Sequence, residues 1–81
     1  MKCLTSVIYN VCDTAGTKLH QIYVALCQQE IGKLEALQRI TEVRDSLVNL
    51  LDVKGHEMTR TAKKRLIEMI NLSNSYIRKI G

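Results

Sequence analysis

The sequence has no proline, phenylalanine or tryptophan, and its aromatic residues are limited to three tyrosines. Because proline is the strongest helix breaker, its absence allows long helices wherever the apolar pattern supports them. The hydrophobic fraction of 46% is mostly aliphatic, which suits the packing of helix against helix. A basic helix without tryptophan or phenylalanine also lacks the side chains typical of insertion at a membrane surface.

Disulfide bonds and membrane spans also lack support. The three cysteines, Cys3, Cys12 and Cys27, are odd in number and include no close pair, which argues against a disulfide framework. Because Cys12 and Cys27 lie on or beside an apolar stripe, we expect buried, reduced thiols and a cytoplasmic protein. The apolar runs are far shorter than the roughly 20 residues that a membrane-spanning helix needs, and the residues after Lys2 do not resemble a signal peptide.

Apolar residues recur with helical spacing along almost the whole chain. Advancing by about 100° per residue groups them into separate stripes, each about as wide as a core-facing helix surface or somewhat wider. The first stripe comprises Leu4, Ile8, Val11, Cys12, Ala15, Leu19, Ile22, Tyr23 and Leu26. The second comprises Leu34, Leu37, Ile40, Val43, Leu47, Val48, Leu50 and Leu51. The third comprises Met58, Ala62, Leu66, Met69, Ile70, Tyr76, Ile77 and Ile80.

These stripes predict one all-α domain over residues 1–81, with helices over about residues 3–14, 17–31, 33–53 and 59–80. The first break is placed at Gly16, with Thr17 as the N-cap of the next helix. The stripe stays in phase across Gly16, so one continuous helix is an alternative. A strand over residues 4–12 is another, because that segment is rich in β-formers.

The later breaks are set by glycine and threonine. Gly32 predicts a kink or a short turn. Gly55 is placed where a left-handed C-cap would sit, and Thr59 or Thr61 can cap the following helix. The last two helices should form an antiparallel hairpin.

Self-association is expected because a bundle of this size leaves apolar surface uncovered. We therefore predict a homo-oligomer, with a homodimer as the simplest form. Ser73 falls inside the last stripe, where it marks a close helix approach or sets the register between copies. Asn49 lies off its stripe and should be solvated.

No group of residues predicts catalysis or a metal site. His20 and Cys27 face nearly the same way on one helix, but a rise of about 10.5 Å separates them, too far for one metal ion or a thiol–imidazole pair. His56 is expected to be a solvated turn residue. No carboxylate stands alone in an apolar run, as a raised pKa for acid–base work would require. We predict no enzyme activity, no cofactor and no metal.

The charge pattern carries more information about partners. Positive residues crowd the first turns of the last helix, where the macrodipole disfavours cations. On a helical projection Arg60, Lys64, Asn71 and Arg78 share one face without a carboxylate, although such a face is often simply solvated. The candidate contacts to an anionic partner or nucleic acid are Arg60, Lys63, Lys64, Arg65 and Arg78.

From these features we expect a small regulatory protein that acts by protein–protein interaction, as an adaptor or an inhibitor of a larger complex. The alternative is a dimeric nucleic-acid-binding regulator that uses the basic stripe. The stripe lacks aromatic residues for base stacking, and the hairpin does not resemble a helix-turn-helix. A purely structural, self-assembling bundle is the third hypothesis.

Overall fold

The computed structural model describes the backbone of residues 4–81 and the side chains of residues 6–81. Cys3, the predicted helix start at residue 3 and the side chain of Leu4 lie outside the described residues. Helix α1 spans Leu4–Cys27, α2 spans Lys33–Lys54 and α3 spans Arg60–Ile80, with a short 3₁₀ turn at Gly55–Glu57. The described residues contain no strand, so the strand alternative for residues 4–12 is wrong.

The three helices pack against one another as an up-down-up bundle. One core cluster joins the first half of α1 to the end of α2 and the start of α3, and comprises Ile8, Cys12, Ala15, Leu47, Ala62 and Leu66. The other joins the second half of α1 to the start of α2 and the end of α3, and comprises Leu19, Ile22, Ala36, Ile40 and Ile80. This arrangement makes α1 antiparallel to α2 and α2 antiparallel to α3, which confirms the hairpin. None of the helices in the described part of the chain could cross a bilayer.

The predicted break at Gly16 is wrong, because α1 continues through it. Thr17 is not an N-cap; its hydroxyl donates a hydrogen bond to the Asp13 carbonyl, 3.1 Å away, within the same helix. An internal glycine costs a helix about 1 kcal/mol relative to alanine. Burial of Ala15 and Leu19 on either side of it outweighs that cost.

Helix α1 ends at Cys27 rather than near residue 31. Gln29 has φ 61°, in the left-handed region. The Glu30 amide donates to the Ala25 carbonyl at 2.9 Å and the Gln29 amide donates to the Leu26 carbonyl at 3.0 Å. This pair of bonds is the Schellman motif, which closes the helix early. Gly32 then serves as the N-cap residue of α2, so the predicted turn between the helices is confirmed.

The predicted left-handed cap at Gly55 is also wrong. Gly55 has right-handed angles, φ −55° and ψ −37°, because the chain continues from α2 directly into the 3₁₀ turn Gly55–Glu57. Thr59 is the N-cap of α3, as predicted: its hydroxyl accepts a hydrogen bond from the Ala62 amide at 3.2 Å.

Most stripe residues described by the structure face the core, but two of the second stripe do not. Leu34 is 82% exposed and Val48 is 43% exposed, because this broader stripe extends beyond the surface that α1 and α3 cover. Ser73 is fully buried, and its hydroxyl donates to the Met69 carbonyl at 2.9 Å. Asn49 is exposed, as predicted.

Candidate partner-binding surfaces

Four of the five candidate cations lie free on the exposed side of α3. Arg60, Lys63, Lys64 and Arg78 are exposed, and within the described residues none of them has a carboxylate oxygen within 4.0 Å. The first turn of α3 contains no acidic residue. The charges of Arg60 and Lys63, in the first turn, therefore add to the positive end of the helix dipole, whereas Arg78 lies in the last turn, where the dipole favours a cation.

Arg65 is separated from these four. Its guanidinium Nη2 lies 3.6 Å from Asp13 Oδ1 on α1, and its Nη1 lies 3.9 Å from Glu68 Oε2. Successive helical residues point about 100° apart, so Arg65 faces α1 while Lys64 faces solvent. Arg60, Lys63 and Lys64 thus lie together at the start of α3, Arg78 lies on the same side about 27 Å further along the helix, and Arg65 is directed elsewhere.

Two exposed apolar side chains border the free cations at the seam between α2 and α3. The seam is marked by Arg44, whose Nη1 donates to Asn74 Oδ1 at 3.2 Å. Val48 follows Arg44 by one helical turn and Ile67 precedes Asn74 by two, so both lie along this seam. Val48 is 43% exposed and Ile67 is 40% exposed.

The side chain of Lys63, in the first turn of α3, lies against the end of α2. A Cβ built on Gly55 would lie 3.7 Å from Lys63 Cε and 3.5 Å from Leu51 Cδ1. The alkyl part of Lys63 therefore lies against the α2 terminus while its ammonium stays in water. We call the whole surface the α2–α3 face, and it comprises Val48, Arg60, Lys63, Lys64, Ile67 and Arg78.

A groove of about 910 Å³ runs along the opposite side of α2, between α2 and α1. Its apolar lining includes Val7, Val11, Ala15, Ile22, Val43 and Leu47. Its polar lining includes Asn10, Thr14, Lys18 and Gln21 from α1, and Arg39, Glu42 and Ser46 from α2. The sequence pattern could not reveal this groove, because it indicates which side chains face inward but not how closely two helices approach.

The charges of the groove are arranged on its two rims. Lys18 lies on the α1 rim and Glu42 lies on the α2 rim. Arg39 Nη2 is held by Glu35 Oε1 at 3.0 Å, the pair of residues one turn apart that supports an exposed helix. Within the described residues neither Lys18 nor Glu42 has an ion-pair partner.

The cysteine and histidine side chains are dispersed. Cys12 is fully buried, and this burial raises the pKa of its thiol, while the charge of Arg65 opposes that rise in pKa. Cys27 is exposed, so the predicted burial of its thiol is wrong: it lies at the edge of the apolar stripe, in the last residue of α1. His20 follows Cys12 by about 12 Å of helical rise, too far to act as its base.

Among the described residues no group of three or more His, Cys, Asp or Glu side chains is placed to hold a metal ion. The absence of enzyme activity and of cofactors remains a prediction. Comparisons with protein-family models, curated proteins and solved structures found no match.

Proposed function

We propose that this protein is a small non-enzymatic regulator that binds an acidic, amphipathic helix of a protein partner through its α2–α3 face. In this role it acts as an adaptor or as an inhibitor of a larger complex. The observation that supports the proposal is the position of Val48 and Ile67, both about two-fifths exposed, beside cations that have no partner of their own.

The two kinds of side chain have complementary uses at an interface. Apolar anchors contribute most of the binding free energy when they are desolvated at the centre of a contact. Unpaired cations at the margin speed association and select an oppositely charged partner. An amphipathic helix offers both features, with apolar residues at helical spacing on one face and carboxylates beside them.

Nucleic-acid binding is the second candidate function, favoured by the same four free cations. A phosphate backbone would be contacted by Arg60, Lys63, Lys64 and Arg78. The exposed Val48 and Ile67 have no role in such a contact. Base stacking is not provided by Tyr23 and Tyr76, whose rings pack against each other with centroids 5.3 Å apart.

A photo-crosslinking amino acid at position 67 tests the proposal directly, with one at the exposed position of Gln38 on α2 as the matched control. In cell lysate we expect an adduct from position 67 that protease removes and nuclease does not. A nuclease-sensitive adduct would favour the second candidate. Equal adducts from positions 67 and 38, or none, would contradict both functions for this face.

Charge reversal provides an independent test on the captured partner. Lys64→Glu and Lys33→Glu each change the net charge by the same amount, and both lysines are exposed. We expect Lys64→Glu to weaken partner binding at least about tenfold and Lys33→Glu to leave it unchanged. A similar loss from both variants would indicate a nonspecific effect of net charge.

Salt dependence separates the two candidates. Contact with about four phosphates would weaken DNA binding roughly a hundredfold between 50 and 200 mM salt. A helix anchored by Val48 and Ile67 should lose far less affinity over the same range. Fluorescence anisotropy with a random-sequence DNA duplex, measured beside the captured partner, provides both values.

A further inference from the structure

We propose that the α1–α2 groove is the site where a second copy of this chain docks, forming a two-fold homodimer. This inference concerns the side of α2 away from the α2–α3 face and does not rest on the proposed partner. The observation that carries it is the pair of opposite charges that line the groove without an ion-pair partner among the described residues, Lys18 from α1 and Glu42 from α2.

Lys18 and Glu42 lie at the same height along the bundle. Ala15 of α1 and Leu47 of α2 share the first core cluster, and Leu19 and Ile40 share the second. Because α1 ends at Cys27 and the antiparallel α2 begins at Lys33, residue 18 of α1 lies level with about residue 42 of α2. The side chains of Lys18 and Glu42 do not form an ion pair within one chain.

With a two-fold axis parallel to the helices, the charges of one copy's groove are complementary to those of the other copy's groove. Such an axis carries α1 of one copy over α2 of the other without changing its height. Lys18 then faces Glu42 of the second copy, and symmetry repeats the contact. An unrelated helix would need its own charges in the right places, whereas a second copy has them by symmetry.

The apolar lining of the groove supports the same occupant. Val7 is 39% exposed and lines the groove on α1. Val53 is 53% exposed and follows Ser46, another groove residue, by two helical turns on α2. Docking of two grooves would cover both valines and enlarge the small core that a chain of 81 residues can form.

Sedimentation equilibrium of the wild-type chain is the first test. We expect a mass of about twice the 9.2 kDa of one chain in the micromolar range. Lys18→Glu and Glu42→Lys each turn both intermolecular attractions into repulsions, so each variant alone should dimerise roughly tenfold more weakly. A monomeric wild type, or variants that dimerise as well as it does, would overturn the proposal.

Mixing the two variants distinguishes a contact between chains from one within a chain. In a mixed dimer both contacts again join opposite charges, so the Lys18→Glu and Glu42→Lys chains should associate with each other more tightly than either does with itself. If mixing produces no heterodimer, positions 18 and 42 of the two copies do not face each other across the axis, and the proposal fails. Circular dichroism of both variants checks that the helices are intact.

The apolar contact has its own matched pair of variants. Val7→Lys introduces a charge into the groove, whereas Leu34→Lys alters an apolar residue that is 82% exposed and outside the groove. We expect Val7→Lys to weaken the dimer at least about tenfold and Leu34→Lys to leave it unchanged. An equal loss from both would place the interface elsewhere.

Discussion

Arg65 on α3 directs its guanidinium to α1, where Nη2 lies 3.6 Å from Asp13 Oδ1. Lys64, the preceding residue, has no such partner among the described residues. Because neighbouring residues on a helix point about 100° apart, these two adjacent positive charges have different surroundings. Arg65 stabilises the contact between two helices, and Lys64 is available to a partner.

This division predicts different effects for two matched substitutions. Lys64→Gln should lower the salt concentration at which the protein elutes from a heparin column, because it removes an unpaired charge. Arg65→Gln should shift elution less and should instead reduce the free energy of unfolding by up to about 1 kcal/mol, the scale for a partly exposed ion pair. Equal elution shifts would show that the two cations belong to one surface.

Gly16→Ala should stabilise the protein by about 1 kcal/mol, because alanine is the better helix former. The added Cβ would lie 3.8 Å from Met69 Sδ, an ordinary contact distance. Urea unfolding followed by circular dichroism measures the change. Gly32→Ala is the control: Gly32 is the N-cap residue of α2 with extended angles, where alanine offers no advantage. A loss of stability in Gly16→Ala would mean that α1 and α3 approach more closely than the structure shows.

The apolar spacing predicted the fold class and most of the core, because core-facing side chains recur with the helical period. It missed the buried Ala36 and included the exposed Leu34 and Val48. Helix ends were harder to predict. Gly16 has a break-forming sequence, but the packing of α1 on two helices overrides it. At Gly55 the helix does end, as predicted, but through a 3₁₀ turn instead of a left-handed cap. Gln29 adopts the left-handed angle that glycine usually takes, and no local signal indicates it.

The candidate surface was predicted in part. The sequence pattern named five candidate cations, and the structure leaves all of them but Arg65 exposed and without an ion-pair partner among the described residues. The contact of Lys63 with the end of α2 could not be predicted from the pattern. The bordering Val48 and Ile67, and the groove on the other side of α2, depend on the distance and angle between helices. One chain's periodicity does not contain that information.

Gln29→Gly should stabilise the protein by about 1 kcal/mol. Gln29 has φ 61°, and a residue with a side chain is strained by about 1–2 kcal/mol in this region whereas glycine is not. The entropy that glycine adds to the unfolded chain offsets part of the gain. Thermal unfolding should show a higher Tm for Gln29→Gly and not for Gln28→Gly, since Gln28 does not have a positive φ. A lower Tm in both variants would contradict the left-handed cap.

Ser73 is buried among apolar residues, yet its hydroxyl bonds only within its own helix, to Met69 O at 2.9 Å. Ser73→Ala should therefore change the free energy of unfolding by less than about 1 kcal/mol, since the Met69 carbonyl keeps its backbone bond and alanine favours the helix. Ser73→Leu should destabilise the protein by about 1–3 kcal/mol through overpacking. Urea unfolding of both variants distinguishes a space constraint from a polar requirement: a large loss in Ser73→Ala would indicate the latter.

The two cysteines described by the structure should differ strongly in reactivity. Cys27 is exposed, whereas Cys12 is fully buried with a raised pKa, which lowers the fraction of reactive thiolate. With Cys3 replaced by serine, we expect a thiol reagent at pH 8 to modify Cys27 rapidly and Cys12 only as the bundle opens. Leu66→Ala, which removes apolar packing from the core cluster that contains Cys12, should accelerate labelling of Cys12 and leave Cys27 unchanged. Equal rates for the two thiols in the folded protein would contradict the burial of Cys12 in the first core cluster.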